Sequence, residues 1–142
     1  MTSASRALAS QRIRRVAGEL ASVRDELVFI GGSVLPLLVD VERRFIAPRE
    51  TKDVDAIFDL SFAGDFSGAS GSGLDVMAID TARAMDEAPE VRHLSSVGLF
   101  LMKAAAFEDR GRKQPSDSRD LADIAVLLVG CDVVVDAAVC HA

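Results

Sequence analysis

Four consecutive apolar residues, Leu27-Val28-Phe29-Ile30, run directly into Gly31-Gly32-Ser33. No other stretch limits the fold as sharply. A short apolar run closed by a glycine turn reads as a buried strand. Ser33 then supplies an N-cap oxygen for a short helix over Val34 to Val41, with Pro36 tolerated in the first turn. Upstream, Leu8, Ile13, Val16, Leu20, Val23 and Leu27 recur at helical spacing with arginines between them, so Ala4 to Leu27 is expected to be one amphipathic helix.

Downstream, Arg43 to Glu50 is a polar connection. Asp53 to Leu60 alternates: Val54, Ala56, Phe58 and Leu60 are apolar, while Asp53, Asp55 and Asp59 share the other face with Ile57. A two-residue period makes this a second strand with its carboxylates gathered on one side. Gly64 to Gly73 is a Gly/Ser-rich loop, Leu74 to Ile79 a third strand, and Val91 to Leu94 a short fourth. Ser95 or Ser96 caps a helix through Arg110 with Gly111 at its end. Ser116 or Asp117 caps another through Val129, stopped by Gly130. With 142 residues and no internal repeat, the expectation is a single domain over 1–142. Its core spans 27–80 and its C-terminal helical part 95–130. The fold class is α+β, a small mixed β-sheet flanked by helices.

Composition narrows the function. A net charge of −6 disfavours a general nucleic-acid binder, and the absence of Trp and Tyr disfavours stacking of bases on aromatic platforms. Cys131 and Cys140 fit no common zinc spacing and suggest a reducing compartment. No secretory leader and no span-length apolar run is evident, so a cytoplasmic protein with no membrane partner is expected.

The chemistry-bearing residues lie between Phe29 and Asp75. A glycine pair lets backbone N–H groups approach a phosphate closely, and a following helix start and the Ser33 hydroxyl add donors. Asp53 and Asp55, joined by Asp75 from a neighbouring strand, offer hard oxygen ligands for one or two Mg²⁺ ions, with Mn²⁺ as the substitute. Taken singly, Gly-Gly-Ser is a common bend and Asp-x-Asp a solvated strand edge. Together, twenty positions apart and in this order, they point to handling of a phosphate-containing group.

Gly31-Gly32-Ser33 followed by Thr51-Lys52-Asp53-Val54-Asp55 resembles the signature of the polymerase-β-type nucleotidyltransferase superfamily. Phe100 to Lys103, Arg110-Gly111-Arg112 and Arg119 to Ile124 extend the resemblance to AbiEii-like nucleotidyltransferases, the toxin half of type IV toxin–antitoxin systems and their stand-alone relatives. The resemblance implies transfer of a nucleoside monophosphate from an NTP to an acceptor hydroxyl on tRNA, protein or a small molecule. It implies metal ligation by Asp53, Asp55 and Asp75, and nucleotide binding by Gly31, Gly32, Ser33, Lys103 and Asp123. Lys103 corresponds to a lysine on the triphosphate, and Asp120 to the acidic residue of the last motif, with Asp123 one turn on. An antitoxin partner and a homo-oligomer are further implied possibilities. The chain resembles a shortened member, because only nineteen residues separate Asp55 from Asp75.

Two other readings stay open. One is a catalytically reduced relative acting as a binding or oligomerisation module; the other is a plain divalent-cation site at the three aspartates. Lys103 as a solvated helix lysine, and Asp120 and Asp123 as helix-start carboxylates, are the structural alternatives. His93 is expected to be structural or on the surface. Arg43, Arg44, Arg49 and Lys52 together with Arg110 to Arg119 are either a basic acceptor-binding edge or a solvated charge run.

Overall fold

The computed structural model describes residues 2–39, 48–58, 82–86 and 88–131. Among these residues four helices and four strands form a mixed α+β fold: α1 (Thr2–Glu19), β1 (Leu27–Ile30), α2 (Leu35–Leu38), β2 (Asp55–Phe58), β3 (Ala82–Met85), β4 (Ala88–Leu94), α3 (Ser96–Ala106) and α4 (Arg119–Gly130). The sheet order is β2-β1-β4-β3; β1 runs parallel to β4 and antiparallel to β2, and β3 runs antiparallel to β4. Among the described residues no helix is long and apolar enough to cross a membrane.

Strand β1 lies inside the sheet and is buried on both faces, which explains its unbroken apolar sequence. On one face Phe29, Val91, Ala88 and Met85 pack against Ala9, Ile13 and Ala17 of α1 and Leu37 of α2. On the other, Val28 and Leu94 pack against Leu35, Leu99 of α3 and Leu127 of α4. Each fully buried Phe, Leu or Val contributes about 1.5–3 kcal/mol, so β1 is the anchor of both layers.

Several boundaries differ from expectation. Helix α1 stops at Glu19, and Arg24–Glu26 makes a single 3₁₀ turn before β1. The apolar spacing continues to Leu27, but Leu27 is 3% exposed as a strand residue, so sheet burial overrides the helical period. Strand β2 begins at Asp55 rather than Asp53. Its last partner is Ile30, beyond which β1 has turned away, and the Asp53 N–H bonds to Thr51 Oγ1 instead. Within β2 it is Ile57 that packs inward, while Phe58 is 54% exposed.

Strand β3 has no counterpart among the expected strands. It is four residues long at a sheet edge, too short for its alternation to stand out from the sequence. Strand β4 extends the expected Val91–Leu94 back to Ala88. The expected strand at Leu74–Ile79, the Gly/Ser loop, Asp59, Asp75, Arg43, Arg44 and Cys140 lie outside the described residues. Cys131 is a buried free thiol.

Candidate functional site

Gly31 turns the chain out of β1 at φ +80°, in the left-handed region that glycine enters without a side-chain clash. A second constraint acts there. A Cβ on Gly31 would lie 2.7 Å from Asp55 Oδ2. Asp55 faces Ile30 across the β1–β2 pairing, and Ile30 and Ile57 belong to the α3–α4 side of the sheet. The Asp55 carboxylate therefore sits against the glycine turn on that side. The turn itself is closed by Val34 N–H donating to the Gly31 carbonyl at 3.2 Å.

Ser33 is buried, but its hydroxyl donates back to the Ile30 carbonyl at 3.4 Å and does not cap α2. The capping position is Val34, and α2 ends at Leu38, well short of Val41. A helix of one turn has little dipole to offer an anion. Donors at this turn come from the backbone and from a residue that the sequence reading placed only in a diffuse basic cluster, Arg49. One Arg49 guanidinium nitrogen (Nη2) is 3.9 Å from where a Gly32 Cβ would stand, and Thr51 packs beside it. Arg12 of α1 fixes this strand-entry segment: it donates to the Thr51 carbonyl and pairs with Glu50 at 3.6 Å. A cavity of about 250 Å³, walled in part by Arg12, Ser33, Arg49 and Thr51, opens beside the turn.

The second half of the site is a chain of ion pairs between α3 and α4. Ser118, one residue later than expected, caps α4 by accepting from Leu121 N–H, and puts Asp120 in the first turn. Asp120 and Asp123, three residues apart on one helix face, both reach Lys103 of α3. Lys103 Nζ is 2.8 Å from Asp123 Oδ2 and 3.2 Å from Asp120 Oδ1. Asp123 is 1% exposed and the lysine side chain 12%, so neither group is a solvated surface charge. Arg49 Nη2 reaches the same Asp123 oxygen at 3.5 Å.

Arg110 closes the far end, with Nε 2.9 Å from Asp120 Oδ2 and Nη2 3.2 Å from Oδ1. It projects from a π-helical turn, Phe107–Gly111, that continues α3. Gly111 was expected to end this helix as a left-handed cap; Gly31 is instead the one positive-φ glycine among the described residues. Gly111 is required for space: a Cβ there would run into the Phe107 ring and lie 2.7 Å from Ser118 Oγ. Burial alone raises the affinity of Asp120 for a proton. The hydrogen bonds from Arg110 and Lys103 outweigh it and hold the carboxyl below its usual range. The same Asp120 bond raises Arg110.

The expected residues thus fall into two groups joined by Arg49. Gly31, Gly32, Ser33 and Asp55 gather at the turn; Lys103, Asp120 and Asp123 form the buried pairs. Lys103, expected on a triphosphate, is engaged by two carboxylates. Asp53 and Asp55 are exposed, and no described cation forms an ion pair with either. Carboxylates are hard oxygen ligands of the kind Mg²⁺ takes; Asp53 lies before β2, and it is Asp55 that meets the Gly31 turn. The described residues contain no group of three ligands, and the expected third, Asp75, falls outside them. No sequence signal told Arg49 apart from Arg43 and Arg44.

Comparison with protein-family models, curated proteins and solved structures finds no match of this chain to any of them.

Proposed function

We propose that this chain is a Mg²⁺-dependent nucleotidyltransferase, a shortened relative of the AbiEii-like polymerase-β type, that moves a nucleoside monophosphate from an NTP to an acceptor hydroxyl. One observation carries the reading. The Asp55 carboxylate is seated on the left-handed Gly31 turn, with the Arg49 guanidinium beside Gly32. Carboxylate, bare backbone and guanidinium at one bend are what a metal-bound polyphosphate needs around it.

In this reading Asp53 and Asp55 hold the ion, and Asp75 completes the set. Bound there, Mg²⁺ would polarise the α-phosphate and neutralise the pyrophosphate leaving group. The Gly31-Gly32 backbone and Arg49 hold phosphate oxygens by N–H donation. Lys103 acts from behind: shared between Asp120 and Asp123, it fixes Asp123, which in turn orients Arg49. The acceptor is a hydroxyl on tRNA, protein or a small molecule.

The test is NTP-dependent pyrophosphate release by the full chain against an Asp53→Ala/Asp55→Ala variant, with circular dichroism confirming that the variant is folded. Release from the native protein that disappears in the variant supports the reading. Equal background in both refutes catalysis. The second reading, a binding or oligomerisation module with an antitoxin-like or self partner, is favoured by the exposed Ala56 and Phe58 on edge strand β2. A stable oligomer on size exclusion, with no rise in melting temperature on adding Mg²⁺ and NTP, would select it.

A further inference from the structure

A second cavity, of about 230 Å³, lies away from the glycine turn, where β3, the end of β4, the end of α2 and the start of α3 meet. Its walls include Arg6, Arg83, Asp86, His93, Ser96 and Cys131. Three of these polar groups are more than nine-tenths buried: His93 at 8% exposure, Ser96 at 4% and Cys131 at 8%. Buried polar side chains are ordinarily hydrogen-bonded. Of these side-chain atoms His93 Nδ1 donates to the Leu94 carbonyl at 2.7 Å. The sealed polar atoms without a partner among the described residues are Ser10 Oγ and Arg24 Nε, so the other His93 and Ser96 atoms keep access to solvent. That bond fixes the neutral tautomer, leaving Nε2 as a lone-pair acceptor with no partner among the described residues. The Ser96 hydroxyl likewise has none.

Ser96 is also the first residue of α3, an eleven-residue helix whose cap, Ser95, satisfies the Gly98 N–H. The N–H groups of Ser96 and Val97 have no acceptor within the helix. Asp86, Arg83 and Arg6 all stand close enough for their charges to bear on His93, the carboxylate most strongly. Arg6 pairs with Asp86 at 3.8 Å, whereas Arg83 has no carboxylate partner among the described residues. Among the described wall residues two arginines, Arg6 and Arg83, stand with one carboxylate, Asp86. A thiol and an imidazole in one cavity raise the question of zinc, but the described residues hold no group of three metal ligands, fewer than a structural or catalytic zinc site uses.

We propose that this cavity binds a protonated oxyanion, of the class of hydrogenphosphate, separately from the glycine-turn site. The ligand's O–H would donate to His93 Nε2. Its charged oxygens would accept from the Ser96 hydroxyl, the first N–H groups of α3 and Arg83. Sulfate has the same shape and charge but no proton to donate, and fits less well.

The full-length ¹⁵N-labelled protein is titrated at pH 8 with sodium phosphate, with sodium sulfate and with chloride at matched ionic strength. Saturable shifts at the Ser96 and Val97 amides and at His93 Nε2 are expected with phosphate, and weaker ones with sulfate. Arg83→Gln, at an exposed position, is expected to weaken phosphate about tenfold without changing the fold. Chloride giving the same shifts as phosphate, Arg83→Gln binding unchanged, or phosphate shifts confined to Gly31 and Gly32 would each overturn the proposal.

Discussion

Replacing Lys103 by Met tests whether the buried ion pairs hold α3, α4 and the Arg49 segment together. The substitution keeps the length of the stem and removes one charge. Asp123, at 1% exposure, would keep only the Arg49 contact at 3.5 Å. Asp120 would keep the two Arg110 bonds. Stranding one member of a buried pair costs about 3–5 kcal/mol, a large part of the roughly 5–15 kcal/mol of a typical domain. With a urea slope of about 2 kcal/mol/M, the midpoint should fall by about 2 M at unchanged slope. Arg110→Ala is the control. Its side chain is 69% exposed, and loss of such a pair costs about 1 kcal/mol or less. Lys103→Met combined with Asp123→Leu should be less damaging than the two single changes added, because the stranded charge is gone. A Lys103→Met midpoint within about 0.5 M of the native protein, or equal damage from Arg110→Ala, would refute this account of the site.

Gly31→Ala should destabilise by about 1–3 kcal/mol, through the left-handed backbone and the crowding of Asp55 Oδ2; urea melts check it. Gly111→Ala meets the Phe107 ring and Ser118 together, and the same melts should show a loss of about 1–3 kcal/mol, with α4 amides losing exchange protection first. The Asp120 carboxyl titrates lower in the folded protein than in the unfolded chain. Its contribution is therefore present above about pH 4 and lost as pH falls through the folded value; Asp120→Asn should flatten that acid limb of the stability curve. Burial of His93 works in a higher window. It lowers the folded pKa from 6.5, partly offset by the Leu94 bond. Stability should thus fall as pH drops below about 6.5 until the folded value is reached, and His93→Gln should remove that slope.

The local elements were legible where one physical term dominated. Leu27–Ile30 is continuous apolar sequence ended by glycine, and it is the β1 strand that the structure contains. Ser95 is a cap because its hydroxyl has an N–H to accept from three residues on, and the helix duly starts there. Where two terms competed, the sequence misled about extent or cause. The helical spacing from Leu8 to Leu27 yields to sheet burial after Glu19, and Gly111 does end the helical run but for space rather than as a left-handed cap.

Of the candidate site, the sequence by itself determined the residue types and the Asp120–Asp123 spacing that puts two carboxylates on one helix face. That spacing is local and follows from the helical repeat alone. What only the tertiary structure decided is which cation meets which carboxylate. Lys103 lies seventeen residues from Asp120, and Arg49 seventy-four from Asp123. Their meeting depends on how the α3–α4 layer docks on the sheet, around Val28, Leu94, Leu99 and Leu127. Hydrophobic burial drives that docking and carries no direction of its own. The ion pairs are the consequence of where it brings the helices to rest.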